Sequence, residues 1–392
     1  MNNKKDKLFY LLLVLLPFSI IAQEENEPKW EVNGYLKNLQ SASLIQVPNL
    51  ITGQSELVIL SNNLIHNRLN FSRSLGSKVV FNSSLRNRFL YGDLDTPARM
   101  LEQFERGNDF FDLSLESSQT NWAAQTILDR FYMDIYLGDW EMSIGRQRIN
   151  WGISTFWNSN DIFNAFNFTD FDYEERPGSD AFLVRKYLGF TSSIEFAIAA
   201  ADDIKKLKVG FLYKFNLKNY DYQILAGVTE NNLSIGGGWS GAIKKIGFKG
   251  EFNTFNDLST SSEPFTGSFS MEFDYINKNA LYFGFGVLYN SLGQTDTNIL
   301  NLLDFDISAR NLYPFKYTLF YSMNQSFNPI FSGGLSLLYS PGPVHATFLS
   351  PNFNLSIAQN WDIAFFGQIV FDRQETYSSP VQGFFLRLKY SF

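Results

Sequence analysis

Apolar and polar residues alternate with a period of two over much of the chain. The clearest case is the C-terminal segment, in which every second position is apolar: Phe384, Leu386, Leu388, Tyr390 and Phe392. The positions between them include Arg387 and Lys389. Because successive side chains of a strand point to opposite faces of a sheet, this pattern predicts strands with one apolar and one polar face. Lipid outside and water inside is the arrangement of a transmembrane β-barrel.

About eighteen segments of this kind follow one another, and the connections between them alternate in length. Tight turns are predicted at Leu75–Gly76, Gly138–Asp139, Lys218–Asn219, Asn277–Lys278 and Gln359–Asn360. Long extracellular loops are predicted at 41–61, 92–125, 150–180 and 292–312. Bacterial barrels have short periplasmic turns and longer outer loops, so the phase of this alternation puts both termini in the periplasm. The sequence therefore predicts an all-β fold, a single transmembrane antiparallel up-and-down barrel of roughly 16–18 strands, wide enough for an aqueous lumen.

The N-terminus has the features of a signal peptide. Three lysines between positions 4 and 7 precede an apolar stretch that ends at Ala22. We expect cleavage after Ala22, which makes 1–22 the signal peptide and 23–392 the barrel. An uncleaved anchor helix is the alternative, although the stretch is shorter than the ~20 apolar residues that span a bilayer. An exported chain with this strand pattern is expected in the outer membrane of a Gram-negative bacterium.

Composition narrows the function classes further. The 392 residues carry a formal net charge of −7 and no basic block, so nucleic acid is not an expected partner. The chain has no cysteine and only two histidines, His66 and His345, neither of which lies in a metal-binding or nucleophile motif. We therefore expect no metal, no cofactor and no enzyme activity. The alternative is a catalytic pair assembled from a histidine and a serine or aspartate on neighbouring strands.

A group of basic residues is predicted on the lumen side of the second to fifth strands. Taking the apolar positions as outward leaves these side chains as pore-lining candidates: His66, Arg68, Arg86, Arg88, Arg130, Asp134, Arg146 and Arg148. They form either a selectivity wall for anionic solutes or a salt-bridge lattice with acids such as Asp129 and Glu141. Simple alternation would place Arg146 and Arg148 in lipid, at a cost of roughly 2–4 kcal/mol each. We therefore expect either a bulge at Gly145 or a strand that leaves the membrane there.

The segment 150–180 is long and rich in Asn, Asp and Phe. Long loops in compact folds are usually functional, and this one is predicted either to fold into the lumen and narrow it or to lie outside. A motif spans this region: Gly145-Arg146-Gln147, Trp151-Gly152, Ser154, Phe156 and Arg176-Pro177-Gly178. It resembles that of a family of porin-like outer-membrane proteins, in which a GRQ-x-x-x-WG-x-S-x-F stretch precedes an Arg-Pro-Gly element. Asn164-Ala165 stands where that family has an Asn-Pro pair.

The resemblance, together with the leader and the Asn- and Phe-rich composition, is to proteins of the Bacteroidota type and implies a barrel with porin-like transport. The C-terminal residues Leu386, Leu388, Tyr390 and Phe392 resemble the insertion signal of outer-membrane barrels. Expected partners are the barrel-assembly machinery through that strand, outer-membrane lipid and lipopolysaccharide, and small solutes, with a homo-oligomer or an accessory complex left open.

The expected function is passive diffusion of small hydrophilic solutes through a channel, with anionic solutes favoured if the arginines form a selectivity wall. Two alternatives remain. One is an accessory subunit of an assembly, secretion or export complex, and the other is a transporter of hydrophobic substrates with a lateral opening near Gly236–Gly238.

Overall fold

The computed structural model describes residues 30–48, 55–93, 96–98, 110–165, 175–259, 265–296, 305, 307–373 and 377–392. Nineteen strands lie in these ranges: β1 Glu31–Pro48, β2 Ser55–Leu75, β3 Val79–Gly92, β4 Ser114–Gln119, β5 Trp122–Leu137, β6 Trp140–Gln147, β7 Ser179–Tyr187, β8 Ser193–Ala199, β9 Lys208–Leu217, β10 Tyr220–Thr229, β11 Asn232–Ile243, β12 Ile246–Asp257, β13 Thr266–Ile276, β14 Leu281–Asn290, β15 Tyr317–Asn328, β16 Phe331–Ser340, β17 Ala346–Ala358, β18 Trp361–Arg373 and β19 Tyr377–Ser391. A short 3₁₀ helix, Ile204–Lys206, lies between β8 and β9. None of the helices in these ranges is long and apolar enough to cross a membrane.

Eighteen of the strands in the described ranges form a closed antiparallel ring. β19 closes it by pairing with β1, from Ile45 opposite Val381 to Tyr35 opposite Ser391. β3 pairs directly with β5. β4 pairs with Trp122–Ile127 of β5 and is not part of the ring. The predicted all-β antiparallel barrel of 16–18 strands is confirmed.

One end of the barrel holds the first described residues of the chain, Phe392 and the tight turns. The turn Lys218–Asn219 joins β9 to β10 with φ of +52° and +64°, the left-handed conformation that a two-residue hairpin of this type requires. At the same end Gly34 and Phe392 exchange two backbone hydrogen bonds of 3.0 Å. The other end carries the longer connections, among them those from β6 to β7 and from β14 to β15.

The outward face of the ring is apolar, and the inward face is polar or small. In β13, Phe269 and Tyr275 are exposed on the outside, whereas Ser270 and Glu272 point inward and are buried. Large apolar side chains on the outside of a ring are unfavourable in water and favourable in lipid. This surface therefore fits a bilayer.

The apolar core lies inside the barrel, between the ring and the connection from β6 to β7. Trp151 and Ile162 of this connection pack with Leu212 of β9 and Leu225 of β10. A second cluster of buried side chains includes Trp157 of the same connection. The ring alone does not form this core, because its inward residues need the connection as their packing partner.

Two predicted loops are shorter than the sequence indicated. The sequence predicts a loop over 41–61, but β1 continues to Pro48 and β2 begins at Ser55. It predicts another over 92–125, which contains β4 and the start of β5 at Trp122. These strands remain paired beyond the part of the ring that faces lipid. Apolar and polar residues need not alternate there, so the sequence pattern does not reveal the ends of the strands. The predicted signal peptide 1–22 lies outside the described residues.

A β-bulge lies in β5 and not at Gly145. The two residues that flank Asp129 pair with adjacent residues of β3, so Asp129 is the extra residue. The pairing of β6 is regular on both sides, although Gly145 has a φ of +117°, which glycine adopts more readily than other residues. β6 ends at Gln147, and the chain leaves the ring there, which is the second of the two predicted possibilities.

Candidate functional site

The connection between β6 and β7 folds into the barrel and occupies part of its lumen. We name residues 148–165 the inner loop. Trp151 and Trp157 are each 1% exposed, and the polar run Ser159–Asp161 is completely buried. Of the two arrangements that the sequence left open for this segment, the structure has the inward one. The inner loop therefore decides how much of the lumen is free.

Glu251 is the main anchor of the inner loop. It lies on the inward face of β12, is completely buried, and accepts hydrogen bonds from the backbone N–H groups of Ile153, Ser154 (2.7 Å) and Asn160 (3.0 Å). Hydrogen bonds to an ionised acceptor are stronger than those between neutral groups. One side chain thus fixes both the beginning and the middle of the inner loop.

Two further carboxylates on neighbouring strands add to this anchor. Glu272 of β13 accepts hydrogen bonds from the backbone N–H groups of Thr155 (2.8 Å) and Phe156 (2.9 Å). Glu195 of β8 accepts one from the indole N–H of Trp151 at 3.0 Å. The backbone of the inner loop is therefore held against the side of the ring formed by β8 to β13.

Small inward residues make room for the inner loop on this side. A Cβ atom on Gly210 would lie 2.6 Å from the ring of Trp151, and one on Gly236 would lie 2.5 Å from the amide oxygen of Asn160. Glycine is required here because the loop packs directly on the backbone of the ring. β11, which contains Gly236–Gly238, pairs along its length with both β10 and β12. The lateral opening considered at these glycines is thus absent from the described strands.

The predicted arginine cluster surrounds the bulged residue of β5. Asp129 binds Arg68 at 2.7 Å, Arg86 at 2.7 Å and Arg130 at 3.3 Å, and all four side chains are buried. These three arginines lie on adjacent strands and point inward, as the alternation predicts. Their geometry is that of the salt-bridge lattice. Counted by themselves, the four groups carry an excess of two positive charges.

The other inward candidates on these strands also contact neighbours. Arg88 donates a hydrogen bond to Gln125 at 3.3 Å. His66 pairs in register with Arg88, and its ring contacts Tyr35 edge-on with the centroids 5.3 Å apart. Asp134 accepts hydrogen bonds from two polar side chains of the adjacent strands. His66 is thus buried among side chains of β1 and β3.

Arg146 occupies the place where β6 leaves the ring. Its guanidinium binds the carboxylate of Asp180 through two hydrogen bonds, of 2.9 and 2.8 Å, and donates to the carbonyl oxygens of Phe111 and Leu128. It is 2% exposed. The side chain thus fills the place between β5 and β7 where β6 ends, and its pore-lining role stays a prediction. Sequence reasoning missed its partner Asp180.

A separate charged group consists of Arg148 and Asp161 of the inner loop and Arg176, which lies just before β7. Arg176 binds Asp161 at 2.7 Å, and Arg148 is exposed. Burial raises the pKa of Asp161 to about 6, although Arg176 and Arg148 both favour its charged form. The group therefore carries one net positive charge when Asp161 is ionised and two when it is protonated.

The motif residues Gly152 and Gly178 allow close approaches of the backbone. A Cβ atom on Gly152 would lie 2.2 Å from the side chain of Asn158, and one on Gly178 would lie 2.8 Å from the carbonyl oxygen of Asp129. Arg130 donates a hydrogen bond to the carbonyl oxygen of Arg176. The Arg-Pro-Gly element thus lies on the arginine cluster, and Trp151 of the motif lies against β8 to β10.

A cavity of about 650 Å³ lies at the end of the barrel opposite to the tight turns. Phe163 and Asn164 of the inner loop line it, and so does Pro177. Lys208 lines it as well and binds both Glu230, at 3.3 Å, and the carbonyl oxygen of Phe163. The inner loop therefore forms part of the wall of this cavity.

The acids of the site were the residues that sequence reasoning missed. Glu251 and Glu272 stand at inward positions of apolar-alternating strands, where a carboxylate would be costly without a partner. That signal was present in the sequence. It indicated a buried partner for each acid, although it did not indicate the inner loop as that partner.

Comparisons with known proteins identify the fold but not a family. No protein-family model matches the chain. No curated protein matches it either.

Several solved structures share the architecture. OpdQ from Pseudomonas aeruginosa has a TM-score of 0.58 at 8% sequence identity, covering 93% of this chain and 98% of its own. OccK9 (OpdG) from the same organism has a TM-score of 0.59 at 11% identity, with the same coverage of both chains. OccAB3 from Acinetobacter baumannii has a TM-score of 0.54 at 10% identity, covering 92% and 99%. The first two are outer-membrane porins, and the chain is similar to them in fold.

Proposed function

We propose that the chain forms a channel in the outer membrane of a Gram-negative bacterium for the passive diffusion of small hydrophilic solutes. One observation carries the proposal: inside a closed ring of eighteen strands, Glu251 and Glu272 hold the inner loop within the lumen. A ring of this size is too wide for its own side chains to fill. A fixed loop within it narrows the passage enough for the lining residues to select solutes.

The proposed solutes are preferably anionic. The exposed Arg148 puts a cation on the inner loop, and the buried Arg68, Arg86 and Arg130, which exceed their shared partner Asp129 by two charges, add a weaker contribution from the ring. Positive charge along a pore raises the local concentration of anions and lowers that of cations. The charges support this preference because they are fixed by contacts with the ring and the inner loop.

The orientation and export of the barrel belong to the same proposal. We place the tight turns and both termini in the periplasm, the inner loop's entry at the cell surface beside lipopolysaccharide, and signal-peptide cleavage after Ala22. The outward positions of Leu386 and Leu388, together with Tyr390 and the exposed Phe392, support an insertion signal for the assembly machinery. The motif resemblance supports an origin among the Bacteroidota porin-like proteins.

An accessory subunit of an assembly, secretion or export complex is the second candidate. The complete burial of Ser159–Asp161 favours it, because a loop packed this tightly is also suited to closing a lumen. The two candidates differ in one measurable property, which is ion conduction.

Single-channel recording of the purified, refolded protein in a planar bilayer tests the proposal. Stable ohmic steps are expected, with a reversal potential in a salt gradient that shows preference for the anion. Heat-modifiable gel mobility establishes separately that the barrel is folded. A folded barrel that does not conduct would contradict the channel and leave the accessory subunit.

A further inference from the structure

One sector of the outer surface is polar where the rest is apolar. On β1, β2, β3 and β5, six uncharged polar side chains occupy outward positions: Asn38, Gln40, Asn63, Asn67, Asn87 and Thr126. We name them the amide band. On the opposite side of the ring, by contrast, outward positions of β12 to β14 hold Phe252, Phe269 and Phe285, all of them exposed.

Strand register places the amide band at the height of lipid-facing side chains. Asn67 lies between the outward residues Ile65 and Leu69 of β2, and Asn87 lies between Leu85 and Phe89 of β3 in the same way. Ile65 and Phe89 are exposed.

Gln40, the member of the amide band nearest the C-terminal end of β1, is placed similarly. Gln40 is opposite Leu386 of β19, and on that strand the outward apolar residues continue on both sides, as Phe384 and Leu388. The amide band therefore lies within the apolar belt and not above it.

Hydrogen bonds run along the amide band from strand to strand. Thr126 donates to Asn87 (2.8 Å), Asn87 to Asn67 (3.2 Å), and Asn67 to the carbonyl oxygen of Tyr35 (3.0 Å). Asn38 and Asn63 donate to each other. An amide carries two N–H groups, and Asn38, Asn67 and Asn87 each use one in these bonds. The second N–H of each would lack an acceptor in hydrocarbon, which is unfavourable.

We propose that the amide band is the interface through which the barrel binds a second copy of itself. The band has no charged side chain, so it does not require a charged partner surface. The side chains of Asn38, Gln40 and Asn87 are partly or fully exposed, and an amide is both a donor and an acceptor, so the band is complementary to itself. A two-fold axis through it would bring the same residues of two copies together. Interhelical contacts in membranes use polar residues in the same way.

The absence of native cysteine allows a direct test by cross-linking. Ile65→Cys puts a single thiol in the middle of the amide band, between Asn63 and Asn67. Phe252→Cys puts one on β12, on the far side of the ring, and is the matched control. Both full-length proteins are expressed, inserted into the outer membrane and oxidised in intact membranes, and the products are separated by mass. A disulfide-linked dimer is expected from Ile65→Cys and not from Phe252→Cys.

A second variant tests whether the association of two copies can be weakened while the barrel stays folded. Asn67→Leu with Asn87→Leu, in the Ile65→Cys background, should weaken the association by roughly tenfold or more, which equals about 1.4 kcal/mol. Its heat-modifiable mobility and its conductance should be unchanged, so failure of the channel proposal would be seen separately. Equal cross-linking of the two cysteine variants would overturn the inference, and so would cross-linking of Ile65→Cys to a protein of another mass.

Discussion

Glu251→Gln tests whether the ring holds the inner loop through hydrogen bonds to the backbone of that loop. One carboxylate oxygen accepts the N–H groups of Ile153 and Ser154, and the other accepts that of Asn160. Glutamine keeps the volume of glutamate and one acceptor oxygen. Its amide nitrogen must then face at least one N–H group of the inner loop, which loses its acceptor.

The cost of this change follows from the number of bonds lost. A hydrogen bond to a charged group contributes about 1.5–3 kcal/mol, and a buried N–H group left without an acceptor costs about 1–3 kcal/mol. We take a loss of about 3 kcal/mol in the free energy of docking, which raises the undocked population of the inner loop roughly a hundredfold. Glu141→Gln is the control, since it changes the charge equally but removes contacts with Arg185 and Tyr187 instead.

Thiol labelling measures docking without relying on conduction. Ser159 is completely buried, its hydroxyl has no hydrogen bond in the described structure, and cysteine replaces it with little change in shape. A Ser159→Cys thiol should react slowly in the parent protein and roughly a hundredfold faster with Glu251→Gln, because the reagent reaches it only in the undocked loop. Single-channel currents should also fluctuate more.

Equal labelling rates in the Glu251→Gln and Glu141→Gln proteins would refute the reasoning, provided that both retain heat-modifiable mobility. The inner loop would then be held by its apolar contacts, and the carboxylate would merely be accommodated. A folded barrel with Glu251→Gln that labels no faster but conducts more would refute it as well, because the change in conduction would then have another origin.

Three further predictions concern charge. Arg148→Ala should shift the reversal potential in a salt gradient away from anion preference, whereas Lys245→Ala, in the exposed turn between β11 and β12, should leave it unchanged; equal shifts would contradict a role for the inner loop. Anion preference should increase as the pH falls through the pKa of Asp161, about 6, because protonation removes a negative charge beside Arg148 and Arg176; a pH-independent reversal potential would contradict this. Asp129→Asn should lower barrel stability by about 3–5 kcal/mol, since it removes the acid that three buried arginines share, and an unchanged temperature of heat modification would argue against that role.

The barrel could be predicted because its determinants are local. Alternation within a strand depends on consecutive residues, and the C-terminal run that ends at Phe392 shows it without any information from the rest of the chain. β4 and the extension of β1 to Pro48 could not be predicted in this way. They lie where strand pairing alone decides the structure, and pairing partners are far apart in sequence.

The inner loop shows the same limit at the functional site. The sequence left an inward and an outward position open for it, because the groups that decide are on other strands. Ser154 and its acceptor Glu251 are 97 residues apart. The bulge at Asp129 could not be predicted for the same reason. It is defined by the residues of β3 that pair with the two neighbours of Asp129. Simple alternation would have pointed Asp129 outward.

The net charge of −7 is a poor guide to the charge that a solute would meet in the lumen. Glu251 and Glu272 are inward, but their oxygens are occupied by N–H groups of the inner loop. Glu195 is bound to Arg185 and Lys214 as well as to the inner loop. Buried acids that hold structural N–H groups contribute less to the potential of a wet passage than an exposed cation such as Arg148, because solute and water cannot approach them closely. An acidic chain can therefore line its passage with an excess of positive charge, and the selectivity must be argued from which charges remain accessible.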